Sequence, residues 1–211
     1  MKLYTYFRSS AAFRVRIALN LKGLKYEPHF IHLPRGEHKA AAYADLNAQA
    51  LLPTLELDDG SRLTQSLAIM EYLDENYPEP RLIPKDAIAR ARVRSLALLV
   101  ACEIHPLNNL RVLQHLKRAL GQNQEQIDTW YRHWVADGLA KLEAEIHGGK
   151  GKFCHGDTPT MADCCLVPQI FNAKRYSSDL APYPTTMRVF EACMKLEAFE
   201  RAQPSQQPDA E

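Results

Sequence analysis

Apolar and polar positions divide this chain into two unlike stretches. Up to about residue 80, short apolar runs alternate with helical periods; beyond residue 87 only helical periods remain. Residues 3–7, Leu-Tyr-Thr-Tyr-Phe, read as a buried strand. Phe13, Ile17 and Leu21 then recur every four residues, one face of a helix, and Gly23 supplies its stop. Residues 26–33 read as a second strand, with Pro28 placing at least its start on a sheet edge. Strand, helix and strand in that order predict a parallel pair with a right-handed crossover. Residues 35–46 are polar and alanine-rich, a short helix or loop with little to hold it. Residues 54–57 alternate like a strand, Asp59-Gly60 turns, and residues 62–64 return. Ser66 is expected to cap a helix running to about residue 77, with Leu67, Met70, Leu73 and Tyr77 on one face and Pro78 beyond its end.

Residues 79–86, with Pro80 and Pro84, read as a linker. Residues 87–120 follow as a long helical stretch bent near Pro106, and residues 125–146 as another, broken by Gly148-Gly149-Lys150-Gly151. Thr160 and Asp163 have the spacing of a capping box, which makes Asp163 structural. The helix they open carries Cys164, Leu166, Val167, Ile170 and Phe171, apolar nearly all round, as the central helix of an all-α domain would be. Residues 185–194 form a last helix, and residues 203–211 a polar, mobile tail with two prolines. The expected domains are residues 1–80 and 87–211. The fold class is an α/β thioredoxin-like N-terminal domain plus an all-α C-terminal domain.

Charge removes whole classes of function. Among 211 residues, 26 basic side chains face 25 acidic ones, a net charge of +1. That leaves no field to attract nucleic acid or an anionic membrane, so any anion must be recognised by a few placed arginines. The five cysteines (Cys102, Cys154, Cys164, Cys165 and Cys193) are odd in number and lack C-x-x-C spacing. They read as reduced thiols rather than a disulfide framework. No apolar run is long enough to span a bilayer, and the chain enters a strand at once without a cleavable leader. A soluble, cytoplasmic protein is expected, with no metal.

The order β-α-β-(α)-β-β-α is thioredoxin-like. Where thioredoxins carry two cysteines, this chain carries Ser9-Ser10-Ala11-Ala12. Disulfide exchange needs a thiolate, so thiol chemistry at this corner requires a sulfur from outside. Ser9 and Ser10 are N-cap residues where a strand meets a helix, and Arg8 precedes them. Unpaired N–H groups and the positive helix end suit an anion or a thiolate there. With no ligand the same serines are simply caps. Pro53 is a trans proline opening an edge strand, or a cis proline exposing the Leu52 backbone to an extended peptide. Gln65-Ser66 begins a helix whose N–H groups and Ser66 hydroxyl suit a carboxylate. Ser9, Leu52-Pro53 and Gln65-Ser66 would together line one groove.

These residues carry a family resemblance. Ser9-Ser10-x-x-Phe13-Arg14-Val15-Arg16-Ile17-Ala18-Leu19 resembles the Ser-Ser-Cys-x-Trp-Arg-Val-Arg-Ile-Ala-Leu signature of zeta-class glutathione transferases. The likeness extends through Gln65-Ser66-Leu-Ala-Ile-Met-Glu-Tyr-Leu, His105-Pro106-Leu-Asn-Asn, Gly156-Asp-Thr-Pro-Thr-Met-Ala-Asp163 and Asp179-Leu-Ala-Pro-Tyr-Pro184. It departs at Ala11 and Phe13, which replace the signature cysteine and tryptophan. The resemblance implies the glutathione transferase fold, a homodimer, and glutathione as cofactor held by Ser9, Ser10, His38, Gln49, Leu52, Pro53, Gln65, Ser66 and Asn109. Ser9 would stabilise the thiolate, with Ser10 in close support.

The activity implied is isomerisation of a small dicarboxylate: the thiolate adds to a cis double bond, the single bond so formed rotates, and the thiolate leaves. Carboxylates call for guanidinium forks. Arg8 is the first candidate, catalytic and substrate-binding; Arg175 matches a substrate-side arginine of the family, and Arg111 could reach the same ligand. His105 is either a hydrogen-bonding partner of substrate or a satisfied interior histidine. Arg14 and Arg16 read as structural ion-pair or dimer residues. A general conjugating transferase, a haloacid dehalogenase and a non-catalytic module of the same fold are the alternative functions.

Overall fold

The computed structural model of the protein describes residues 1–211. The chain forms two compact units, Met1–Ile83 joined by Met194–Glu211, and Pro84–Cys193. The C-terminal segment thus packs with the N-terminal domain, whereas the sequence suggested that everything after residue 87 was one helical domain.

The first unit is built on a four-stranded sheet in the order β2-β1-β3-β4. Strands β1 (Lys2–Thr5) and β2 (Glu27–Phe30) are parallel, joined through α1 (Ser10–Leu21), and Leu3 stands opposite Pro28 on the edge strand. Strand β3 (Thr54–Glu56) runs antiparallel to β1, and β4 (Arg62–Thr64) antiparallel to β3. The polar stretch between β2 and β3 holds a 3₁₀ turn at Glu37–Lys39 and the one-turn helix α2 (Ala41–Ala44). Helix α3 (Ser66–Asn76) packs beside α1. Leu3, Leu55, Val15, Ile17, Leu19, Ile69, Met70 and Leu73 have no solvent exposure and form the centre. Of the residues that predicted the strand and helix faces, Leu3, Phe13, Ile17, Met70 and Leu73 are buried here, whereas Leu21 and Leu67 are half-buried and Tyr77 is exposed at the end of its helix.

Charge is also buried in this unit. The Lys22 ammonium donates to Asp74 Oδ1 at 2.9 Å and to the carbonyls of Tyr77 at 2.7 Å and Pro80 at 3.0 Å. The Leu82 N–H completes the Asp74 carboxylate. This satisfied pair fastens the start of the interdomain stretch to α1. Arg16, fully buried, donates to Thr5 Oγ1 and to the carbonyls of Tyr6, Phe7 and Ala202. Burial pushes its guanidinium down to about 10, still charged at neutral pH. Neither arginine of the signature makes an ion pair, so the expected ion-pair role is corrected: Arg16 ties backbone carbonyls, and Arg14 meets a hydroxyl.

The expected mobile tail is corrected as well. The short helix at Glu197–Glu200 lies on α1, and Asn20 Nδ2 donates to the Ala198 carbonyl at 3.0 Å. Further on, the Phe7 N–H donates to Asp209 Oδ2 at 3.0 Å, and His32 Nε2 lies 2.9 Å from Glu211 Oε1. The tail docks through isolated polar contacts, some to backbone and some between side chains, which leave no periodic apolar signal in the sequence.

The second unit is all helix. Helix α4 (Ala87–Leu98) continues into a π turn at Leu99–Ile104 and a 3₁₀ turn at Pro106–Asn108 before α5 (Leu110–Arg118). The expected bend at Pro106 is therefore a break over residues 99–109. Proline has no N–H to continue the ladder, and the His105 N–H already bonds back five residues to Val100. Helix α6 (Gln124–Ile146) passes close to the π turn: a Cβ on Gly138 would collide with the Ile104 side chain. Helix α7 (Met161–Arg175) is buried along most of its length, and α8 (Pro184–Met194) ends the unit. The capping box is present. Asp163, fully buried, accepts from the N–H groups of Cys154 and Thr160 and from the Thr160 hydroxyl. Burial pushes its carboxyl up against the pull of those donors. All five cysteines are free thiols, four of them buried, and burial raises Cys154 and Cys193 far from the reactive range. No helix is long and apolar enough to cross a membrane.

Candidate functional site

Ser9 is the N-cap of α1. Its backbone is extended (φ −67°, ψ 111°), and its Oγ accepts the Ala12 N–H at 3.3 Å. The Ser9 N–H donates to the Tyr6 carbonyl at 2.9 Å, which turns the chain sharply out of β1. A hydroxyl that accepts through a lone pair still has its proton to give. Ser9 and Ser10 are 9% and 6% exposed, so that proton is offered in a largely dry corner. Ala11 follows, where the signature has cysteine. Arg8, by contrast, is exposed, with its guanidinium 4.7 Å from the Phe7 ring centroid.

The Leu52–Pro53 bond is cis. Two buried side chains hold the backbone around it. Tyr43 Oη donates to the Leu51 carbonyl at 2.6 Å and lies 2.9 Å from Thr54 Oγ1. Asn47 Nδ2 donates to the same two oxygens, at 2.8 and 3.1 Å. Asn47 Oδ1 accepts the Gln49 N–H, and Gln49 Oε1 accepts from Gln65 Nε2 at 2.6 Å. The structure thus brings Gln49, Gln65 and the Leu52–Pro53 turn into one connected network.

Gln65 has φ +66°, a conformation that side-chain-bearing residues seldom adopt. It makes no capping bond, no acidic residue stands in the first turn of α3, and Ser66 is the first helical residue rather than the cap. That corrects the expected cap and leaves the first N–H groups of α3 without a side-chain partner. Behind them, Arg14 Nη1 donates to Ser66 Oγ at 3.2 Å. His38 sits in the 3₁₀ turn, 9% exposed, with Nδ1 unpartnered. Burial, with the Lys39 charge adding to it, holds the imidazole below its ordinary range.

The other four candidates belong to the second unit. His105 ends the π turn. Asn109 caps α5, its Oδ1 accepting the Arg111 N–H at 3.1 Å, which leaves its amide nitrogen free to donate to a ligand. Arg111 is exposed at the second position of α5. Arg175, at the end of α7, is exposed and donates to Tyr176 Oη at 3.2 Å. The Tyr176 ring stacks on Tyr131, centroids 3.5 Å apart and planes at 8°, and the Tyr131 carbonyl accepts from Asn108 Nδ2 at 3.4 Å. Tyr131 and Tyr176 therefore tie the arginine of α7 to the loop that leads into α5. Neither tyrosine stood out in the sequence, since aromatic residues on buried helices read as core.

Arg14, expected as a structural ion-pair or dimer residue, meets the Ser66 hydroxyl instead, a partner 52 positions away that its own helix does not announce. Every other position from 12 to 19 on its helix is buried, so the arginine is enclosed with them.

Comparison with known proteins gives this geometry a family. Residues 8–76 match the profile of "Glutathione S-transferase, N-terminal domain" and residues 86–193 that of "Glutathione S-transferase, C-terminal domain". The chain is 47% identical to a maleylpyruvate isomerase of Ralstonia sp over 100% of both chains. It is 47% identical to the maleylacetoacetate isomerase of Pseudomonas aeruginosa, over 99% of this chain and 98% of the other. A solved holo structure of a maleylpyruvate isomerase, described as a zeta-class bacterial glutathione transferase, superposes with a TM-score of 0.97 at 46% identity over 100% of both chains. A maleylacetoacetate isomerase of Anaeromyxobacter dehalogenans, solved with glutathione bound, superposes at 0.90 and 46% identity, covering 100% of this chain and 97% of that one. A serine-capped corner without cysteines, an uncapped helix start beside it and this likeness from end to end agree: the chain belongs to the glutathione transferase family, and to its zeta class.

Proposed function

We propose that this protein is a glutathione-dependent cis–trans isomerase that converts maleylacetoacetate to fumarylacetoacetate. The observation that carries the proposal is Ser9, nearly buried at the start of α1, with its lone pair engaged by Ala12 and its proton available. A free thiol, with a pKa of about 8.5, is only a few per cent ionised at neutral pH; lowering it two units takes about 2.7 kcal/mol. A helix N-terminus supplies about 0.3–1 kcal/mol when exposed and up to ~2 when partly buried. A hydroxyl donating to a charged acceptor adds about 1.5–3. Over most of its range neither reaches about 2.7 kcal/mol alone, whereas a partly buried helix end and a hydroxyl together do; Ser9 at this helix end offers both, with Ser10 beside it.

The tripeptide would lie along Leu52–Pro53, its γ-glutamyl carboxylate on the open start of α3 at Gln65 and Ser66. Gln49, His38 and the Asn109 amide would make further contacts to it. The thiolate adds to one carbon of the activated cis double bond, forming a C–S bond as the displaced electron pair moves onto the conjugated carbonyl oxygen. Rotation follows about what is now a single bond. The enolate pair then returns and expels the thiolate, so glutathione is regenerated and no oxidant or reductant is consumed. Arg8, Arg111 and Arg175, with His105, would bind the two carboxylates. An exposed guanidinium such as Arg8 suits a diacid arriving from water.

The full-length likeness to a maleylpyruvate isomerase supports a second substrate reading, since either diacid presents the same carboxylates and the same activated bond. A homodimer in the cytosol, where glutathione is plentiful and the free thiols stay reduced, completes the proposal. Purified protein assayed with each maleyl substrate, with and without glutathione, tests it. Turnover of maleylacetoacetate that requires glutathione but does not consume it is the expected result. Preference for maleylpyruvate would move the assignment to the second substrate, and glutathione-independent or absent turnover would overturn both.

A further inference from the structure

Two arginines two residues apart on α1 are both buried, and they are used differently. The Arg16 fork is filled by four oxygens. Arg14 is 3% exposed, yet it makes one hydrogen bond, from Nη1 to Ser66 Oγ at 3.2 Å, and its buried Nε has no partner. No carboxylate pairs with it. A buried guanidinium with one neutral contact and no counter-charge is costly unless something negative arrives. The contact it does make is with a hydroxyl that forms no other hydrogen bond. That hydroxyl stands at the uncapped start of an eleven-residue helix, after a residue held at φ +66°.

From this geometry we infer that Arg14 is a positioning residue for the carboxylate of the γ-glutamyl group, acting through the Ser66 hydroxyl. The inference rests on the glutathione reading above and deepens it. By donating to Ser66 Oγ, Arg14 occupies a lone pair and leaves the hydroxyl proton to point outward. Hydrogen bonds in a chain polarise one another, so accepting from a cation makes Ser66 a stronger donor to an anion. The α-carboxylate of glutathione is then the counter-charge that Arg14 lacks in the protein alone.

The test compares two ligands by calorimetric titration: glutathione, and the analogue in which the γ-glutamyl α-carboxylate is replaced by hydrogen. Wild type should prefer glutathione strongly. Arg14→Met should cut that preference roughly tenfold or more while changing affinity for the analogue little. Ser66→Ala should cut it similarly, and the double variant should fall no further than the larger single one, because both act along one path. Arg14→Gln, which keeps an amide donor without the charge, carries the same readout should Arg14→Met fail to fold. Equal weakening of both ligands in the Arg14 variants, or full additivity with Ser66→Ala, would mean that Arg14 only supports the fold. Wild-type protein that binds neither ligand would overturn the glutathione reading itself, and Arg14 with it.

Discussion

The start of α7 and the starts of α1 and α3 solve the same physical problem in opposite ways. Every helix begins with N–H groups that have no partner inside it. At α7 the chain builds its own cap: the Thr160 hydroxyl oxygen accepts the Asp163 N–H, and the buried Asp163 carboxylate accepts from Thr160 and Cys154 in return. At α1 a neutral serine accepts one N–H and keeps its proton, and at α3 no side chain caps at all. A buried aspartate is a structural device where it is saturated. The Ser9 hydroxyl proton, the uncapped start of α3 and the arginine without a counter-charge behind it are what the proposed ligand would fill.

Breaking the closed start should cost the most. Asp163→Ala leaves three donors buried without an acceptor, and about 3–5 kcal/mol of stability should disappear in urea unfolding, with no change in the ionisation of bound glutathione. Arg8→Ala should do the reverse. Isomerisation should fall roughly ten- to hundred-fold while the unfolding midpoint stays within about 0.5 kcal/mol of wild type, since the side chain is exposed. Asn123, which closes α6 in a reciprocal box with Gln126, lies on the surface. Asn123→Ala should therefore cost only about 1 kcal/mol.

The smallest effect concerns His38. Its pKa is depressed in the fold, so the unfolded chain binds more protons as pH drops. The stability tied to the neutral ring is complete above the unfolded value of about 6.5 and is lost as pH falls from there through the lower folded value. Urea midpoints at pH 7 and pH 5 should differ less in His38→Gln than in wild type.

What could be read in advance was whatever announces itself by period or by turn chemistry. The alternation at residues 54–57, the Asp59-Gly60 turn, the four-residue recurrence of Phe13, Ile17 and Leu21, and the Thr160–Asp163 box all describe contacts within a few residues. They sufficed for the sheet, the helical half and the serine corner. Contacts between distant residues were not legible. Arg14 meets Ser66 across 52 positions and Phe7 meets Asp209 across 202, through single polar bonds that impose no pattern on either side. The turn at Gln65 was hidden for a related reason: its positive φ falls on a residue that is not glycine, so Ser66 looked like the cap.

The account rests on Ser9 and the end of α1 holding a thiol as its anion, and ultraviolet titration of the glutathione complex measures that directly. Thiolate absorbance should appear with a midpoint about two units below the free thiol's, and Ser9→Ala should shift it back up by roughly one to two units. A bound thiol that titrates near 8.5 in the wild-type complex, or a midpoint that Ser9→Ala leaves unmoved, would contradict it.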